Sequence, residues 1–198
     1  MLEQLIARLR SHQLPPVDPV QTEASVLVPV TALDRRPELI LTRRALTMNS
    51  HAGEVAFPGG KKDAADADLL VTALRESEEE IGLPRAEVDV VGRLTTLTAR
   101  SGIRVVPWVG VVSPAIELTA SPHELDAIFR VPLSFFLETP MQSDHAVRWQ
   151  GHEYLMPTWR YDGHMIWGLT AYIIVDLLNT AYDAGLVVPP PTARRDAG

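Results

Sequence analysis

The chain has 198 residues, 46% of them hydrophobic and 22% charged, which suits one globular domain with a sizeable core. Acidic residues outnumber basic ones by 25 to 18, and the formal charge of -7 argues against a protein that wraps nucleic acid through general phosphate attraction. The absence of cysteine excludes disulfides, thiolate nucleophiles and cysteine-based metal sites.

The opening run MLEQLIARLR carries charges throughout and has no cleavage site, so it reads as an amphipathic helix over 2–10 rather than a signal peptide. The HQLPP stretch stops it. Residues 24–33 and 38–43 read as strands separated by a DRRP turn, and 53–57 as a short strand ended by Pro58-Gly59-Gly60. An acid-rich loop over 61–68 leads into the best helix of the sequence, 69–81. There Leu70, Ala73, Leu74, Ser77 and Ile81 make the buried face, Gly82 sits where a C′ glycine belongs, and Pro84 blocks continuation. Strands are expected over 88–97 and 103–112. SPHE, residues 121–124, has the form of a capping box with proline at N1, which predicts a helix carrying Leu125, Ile128 and Val131 until Pro132. A helical turn over 133–137 and two short strands around Gly151, at 147–150 and 153–156, come next. A long, deeply packed helix is expected over 166–184. The most apolar stretch, 165–178, is too short to span a bilayer, so a cytoplasmic location is expected. The element order predicts one mixed α/β domain over 1–188, with a disordered tail over 189–198.

The chemistry concentrates in residues 57–83, FPGGKKDAADADLLVTALRESEEEIGL. Glu76, Glu79 and Glu80 stand at i, i+3 and i+4, so their carboxylates share one side of the helix while Glu78 points elsewhere. Each close pair of like charges costs roughly 0.2–0.5 kcal/mol, and the helix dipole also disfavours anions in this C-terminal half. Such a run is ordinarily a solvated face. The flanking residues favour another explanation: a hard divalent cation, Mg²⁺ or Mn²⁺, held by carboxylates and by a substrate's phosphates. Gly59 and Gly60 let the backbone approach a metal or phosphate closely. Lys61 and Lys62, the only lysines beside 16 arginines, add positive charge there. Arg75 is expected to face away from Glu76 and to organise the cluster through Glu78, Glu79 or a more distant carboxylate.

This segment resembles the Nudix box, G-x5-E-x7-R-E-U-x-E-E-x-G-U with U a bulky apolar residue. Arg75-Glu76, Glu79-Glu80 and Gly82-Leu83 match it at the expected spacing. The chain departs from it by one extra residue between Gly60 and Arg75, by Ser77 at an apolar position, and by a loop with Asp63, Asp66 and Asp68 in place of the isolated glutamate. Upstream, LTRRALTMNSHAGEVAFPGG is similar to the signature of Nudix coenzyme A pyrophosphatases through Leu41, Thr42, Arg44, Ala45, Gly53 and Phe57 to Gly60. Asn49 stands where that signature has arginine. The likeness extends over about 25–178.

The resemblance implies an α/β/α sandwich with a mixed sheet and a catalytic loop-helix-loop. It also implies hydrolysis of a diphosphate, for coenzyme A giving 3′,5′-ADP and 4′-phosphopantetheine. Glu76, Glu79 and Glu80, with the Gly60 backbone, would hold Mg²⁺ or Mn²⁺. The general base would be Glu76 or a glutamate beyond the box, for which Glu124 is the best placed, unless it is the N3 member of the capping box. Arg44, Lys61, Lys62 and Arg104 are candidate phosphate contacts, Arg44 foremost because it falls in the signature. Asn49 keeps ADP-ribose, a nucleoside diphosphate sugar or a capped RNA end open as substrates, and a catalytically silent binding module is a further alternative. A homodimer is compatible with the family, while nucleic-acid and membrane partners are not expected. His51 orients substrate or a loop, or is satisfied by local hydrogen bonds. His123, His145, His152 and His164 show no metal-ligand spacing. The four tryptophans are too scattered for a stacking stripe, and Trp108 and Trp167 are expected in the core.

Overall fold

Strand β1, Thr22–Thr31, is the axis on which the molecule is built. The computed structural model describes residues 1–17, 22–48, 50–99, 101–149 and 152–188; Asn49 and the tail 189–198, expected to be disordered, lie outside the described residues. Along one edge β1 pairs in parallel with β7, Arg104–Val112, over its whole length. Along the other it meets β2, Glu38–Arg44, only at Val30↔Leu39, where the chain turns between them. The two strands then part, and the fork is filled by β3, Val55–Ala56, on the β2 side and β4, Gly59–Lys61, on the β1 side. Strand β8, Leu125–Pro132, covers the far edge of β2, while β5, Asp89–Arg93, and β6, Leu97–Thr98, cover that of β7. The result is a mixed eight-stranded sheet in which β1–β7 is the parallel pair.

Alternation along the strands divides the core in two. Leu27 of β1 and Ile40 of β2 face helix α2, Leu69–Ile81, and pack with Ala73, Ile81, Leu83, Val112 and Leu125. Their neighbours Val28, Val30, Leu39 and Leu41 face the opposite way, toward α1, Leu2–Ser11, and α4, Gly168–Tyr182. Each face of the sheet is thus buried by helices, which is the α/β/α sandwich that the family resemblance implied. No helix among the described residues is long and apolar enough to cross a membrane.

Helix α2 begins and ends at the expected residues. Asp68 caps it by accepting a hydrogen bond from the Val71 amide at 2.9 Å, and Gly82 closes it in the left-handed conformation at φ 66°. Several expectations are corrected. The SPHE segment starts no helix: 122–124 form a turn, and Leu125–Pro132 is strand β8. Full pairing with β2 outweighs the local capping preference, and it leaves Leu125 and Val131 buried. Gly59 and Gly60 do not merely end a strand but form β4. The strand expected over 88–97 is split into β5 and β6.

The two short strands expected around Gly151, which lies outside the described residues, are the ends of a longer hairpin, β9 Gln142–Trp149 and β10 His152–Tyr161. Strand β11, His164–Trp167, completes a second, three-stranded sheet, so the last helix starts at Gly168 instead of 166. The Asp162-Gly163 turn, with φ 47° and 78°, makes the β10–β11 hairpin. An Asp-Gly pair is a direct sequence signal for such a turn. The expected helical turn is α3, Leu133–Glu138. Trp108 and Trp167 are only partly buried, and among the described residues the fully buried tryptophan is Trp159, whose indole donates to the Thr139 carbonyl at 3.1 Å.

Candidate active site

The fork between β1 and β2 brings the glycine pair against helix α2. The Gly59 amide donates to Glu80 Oε2 at 3.0 Å. Gly59 has no room for a side chain, since a Cβ there would stand 2.4 Å from the Ser25 carbonyl oxygen; a Cβ on Gly60 would stand 2.4 Å from Glu76 Cδ and would displace that carboxylate. At Gly60 the backbone therefore lies directly on the Glu76 carboxylate, which a side chain there would push aside.

Arg75 organises the acids, with one correction. Its guanidinium does not face away from Glu76 but reaches Glu76 Oε1 at 3.0 Å, because the long side chain folds back over the helix. The same group binds Glu79 Oε2 at 3.0 Å, the Lys61 carbonyl at 3.2 Å, and both carboxylate oxygens of Asp66 at 3.0 Å. Glu78 pairs instead with Arg85 at 2.8 Å, on the outside of the helix.

Each of the three loop aspartates has its own place. Asp63 accepts from the Ala65 amide, Asp68 caps α2, and Asp66 is buried under Arg75. Asp66 also accepts from the Asp63 amide and the Thr72 hydroxyl, both at 2.9 Å. The Arg75 hydrogen bonds hold its carboxyl well below the usual carboxylate range. Asp66 thus supplies the loop carboxylate despite the extra residue. The signal available in the sequence was its place before Thr72 and Arg75 on the same helix face. Ser77, at the apolar position, is fully buried because its hydroxyl donates to the Ala73 carbonyl at 2.7 Å.

The carboxylates form a graded set. Glu79 is the outermost, with a side chain 60% exposed and turned to Arg75. Burial lifts Glu76 above the usual range, opposed by Arg75. Glu80 is 5% exposed, and burial pushes its carboxyl up to about 7, opposed by the Gly59 amide and reinforced by the charges of Glu124 and Glu76. Glu124 is exposed, and it comes from the loop that runs back to α2: the amides of Thr119 and Ser121 donate to the Ile81 and Glu80 carbonyls at 2.9 and 2.8 Å. Those bonds satisfy carbonyls that the helix itself leaves free. Glu124 is therefore in a turn beside α2 and is not the N3 residue of a capping box.

The cations are distributed unevenly. Arg44, at the end of β2 and in register with Leu125, bears on Glu80 electrostatically, and its buried Nε has no hydrogen-bond partner among the described residues. Lys61 and Lys62 are exposed at the mouth of the fork. Arg104 opens β7, one strand removed from β4, and is engaged in an interaction of its own. His51 pairs locally with Glu54 at 2.8 Å.

The donor set fits a hard divalent cation: coupled carboxylates, one of them buried at an energetic cost, next to a backbone free of side chains. Among the described residues no three acidic or histidine side chains are already drawn together into a cage, since Glu79 turns to Arg75.

The NUDIX domain model matches residues 21–164. The uncharacterized Nudix hydrolase NudL of Photorhabdus laumondii is 41% identical over 169 residues, covering 83% of this chain and 90% of that protein. NudL of Cronobacter sakazakii is 42% identical over 160 residues, covering 79% and 81%. Among solved structures, the fold is similar to a MutT/nudix family protein from Enterococcus faecalis, with a TM-score of 0.52 and 14% identity over 92% of this chain and 70% of that one. It is also similar to a C. elegans Ap4A hydrolase, with a TM-score of 0.50 and 21% identity over 58% and 83%. The chain belongs to the Nudix hydrolase family. It is an enzyme that acts on diphosphate substrates, and hydrolases of this family use divalent metal ions.

Two predictions concern stability. Asp66→Asn leaves Arg75 short of its buried counter-charge and lowers stability by roughly 2 kcal/mol at pH 7, measured by urea unfolding. Because the folded Asp66 carboxyl is depressed, its contribution is complete above the unfolded value and lost only in strong acid, so the gap to the variant narrows as pH falls below about 4. For Glu80 the sign is opposite. Its folded carboxyl is raised to about 7, so its ionised form destabilises the metal-free protein above that pH. Glu80→Gln is expected to raise metal-free stability by roughly 1–3 kcal/mol at pH 8, and the gain disappears as pH falls from 7 to about 4.5. Equal stability at pH 8 in EDTA would contradict this.

Proposed function

We propose that this enzyme hydrolyses the diphosphate bond of coenzyme A or its derivatives in the cytoplasm, releasing 3′,5′-ADP and 4′-phosphopantetheine or its acyl form. The observation that carries the reading is Arg44. It lies in the segment similar to the coenzyme A pyrophosphatase signature, its charge acts on Glu80, and its buried Nε has no hydrogen-bond partner among the described residues. A guanidinium donor without a partner, next to a cation-binding set of acids, suits a phosphate oxygen.

Glu76, Glu79, Glu80 and the Gly60 backbone would hold Mg²⁺ or Mn²⁺, which supplies neutralisation of the charge that grows on the diphosphate and polarises the attacked phosphorus. The remaining work falls to the chain itself. Arg44 and the exposed Lys61 and Lys62 bind the phosphates, and Arg75 keeps Glu76 and Glu79 oriented from its anchor on Asp66. A water oxygen bonds to one phosphorus while the bridging P–O bond breaks, and Glu124 takes the proton that the water gives up. Glu124 suits this role because it is close enough to act on Glu76 and Glu80 but is exposed and outside helix α2.

A substrate panel with product identification tests the reading. Coenzyme A and its thioesters are expected to be cleaved at least ten times more efficiently than ADP-ribose, nucleoside diphosphate sugars or capped RNA; the reverse order would assign the enzyme to one of those substrates. Glu124→Gln separates the roles of the acids. It is expected to lower kcat by about 10²–10⁴-fold with little change in KM or in Mn²⁺ affinity, as loss of a general base would. A comparable loss of Mn²⁺ binding would instead make Glu124 a metal ligand.

A further inference from the structure

The connection from β7 to β8, residues 113–124, makes turns at 114–115 and 122–124 and ends on Glu124. Between the turns, Ile116, Leu118 and Ala120 are partly buried against the core cluster beneath α2. Glu117 and Thr119, which alternate with them, are exposed. That alternation is the mark of an extended chain. The segment crosses the C-terminus of α2, where the Thr119 amide donates to the Ile81 carbonyl at 2.9 Å.

Ser121 then links the acids through its backbone. Its amide donates to the Glu80 carbonyl at 2.8 Å, and its carbonyl accepts from the Glu124 and Leu125 amides at 3.1 and 2.9 Å. Two backbone hydrogen bonds through one residue thus separate Glu124 from Glu80. The start of the segment is held by a side chain instead. Half-buried Arg130, on β8, donates from Nη1 to the Pro114 carbonyl at 2.7 Å and from Nη2 to the Ile116 carbonyl at 3.2 Å.

We infer that Arg130 is a positioning residue for Glu124. It follows Glu124 in the chain and reaches back to carbonyls that precede it, so its guanidinium closes residues 114–130 into a ring. Within that ring the chain from Ile116 to Ser121 is extended and has little slack. Where Arg130 holds the Ile116 carbonyl therefore sets where Ser121 meets α2, and Ser121 sets where Glu124 stands. The planar guanidinium suits this task, because its two donors fix two carbonyls in direction as well as distance. This rests on the reading of Glu124 as the group that takes the proton from water, and it adds the residue that keeps Glu124 in place. A misplacement on the order of 1 Å can cost about 10²-fold in rate, so the consequence falls on kcat. Metal binding is not expected to follow, since Arg75 and the Gly59 amide hold the α2 carboxylates independently.

The test combines Arg130→Met, Arg130→Lys and Glu124→Gln with the double variant Arg130→Met/Glu124→Gln. Steady-state kinetics use coenzyme A, or whichever diphosphate of the substrate panel is cleaved best, at saturating Mn²⁺. Arg130→Met is expected to lower kcat about 10–100-fold, with KM and calorimetric Mn²⁺ affinity within about threefold of wild type. Arg130→Lys, which can still donate to the same carbonyls, is expected to recover kcat to within about fivefold. In the Glu124→Gln background, Arg130→Met is expected to lower kcat by no more than about twofold further, because both changes disable one group. Without metal or substrate, amide hydrogen exchange over 116–125 is expected to be faster in Arg130→Met than in wild type. Unchanged kcat or unchanged exchange in a folded Arg130→Met overturns the positioning role. So does an equal loss of kcat in both backgrounds, or a loss that falls on KM or Mn²⁺ affinity instead, and each of these leaves the role of Glu124 standing. Wild-type kcat in Glu124→Gln alone overturns the reading of Glu124, and the positioning role with it. If Met at this position prevents folding, Arg130→Gln is read by the same criteria.

Discussion

The site depends on concentrating negative charge where a helix least tolerates it. The acids of α2 lie in its C-terminal half, against the helix dipole, and one of them is buried. Arg75 is the main local remedy. By binding Asp66 with two parallel hydrogen bonds it is anchored to the preceding loop, and from that anchor it reaches Glu76 and Glu79 together. A lysine could not reproduce this, since a single ammonium lacks the planar fork that serves several carboxylates in fixed directions. What Arg75 leaves uncompensated is Glu80, and that remainder is what a divalent cation can stabilise.

The sheet makes the same arrangement possible from the other side. Because β1 and β2 touch only near their turn, the strands open a fork that a glycine-containing segment can enter. Gly59 then approaches β1 closely enough to exclude a Cβ, and Gly60 lies against the Glu76 carboxylate. The backbone thus becomes part of the site wall. Residues far apart in the chain are brought in by strand pairing: Arg44 by the end of β2, Glu124 by the start of β8 beside it.

The loop between β7 and β8 joins these two halves. Its amides at Thr119 and Ser121 cap α2, and Arg130 of β8 donates to the carbonyls of Pro114 and Ile116 at 2.7 and 3.2 Å. The C-terminus of the acid-bearing helix and the turn that carries Glu124 are therefore fixed to each other. A shift of the loop would move both.

Much of this was legible in the chain itself. Helix α2, from Leu69 to its stop at Gly82, follows from periodicity and the C′ glycine, and the i, i+3, i+4 placing of Glu76, Glu79 and Glu80 follows with it; the cap by Asp68 is seen in the structure. Other features are non-local and were not. The capping preference of SPHE was real as local chemistry, yet β8 prevailed, paired along β2 with Leu125 and Val131 buried. The Asp162-Gly163 turn was a readable signal, and without it the strand β11 merges into the helix that follows. The sequence by itself determined which acids share a helix face, because a helix has a fixed period. Only the tertiary structure decided that Asp66 is the partner of Arg75, that Glu80 is the buried carboxylate, and that adjacent strand ends bring Arg44 and Glu124 together. Those relations depend on burial and on pairings between distant strands, and no local spacing encodes them.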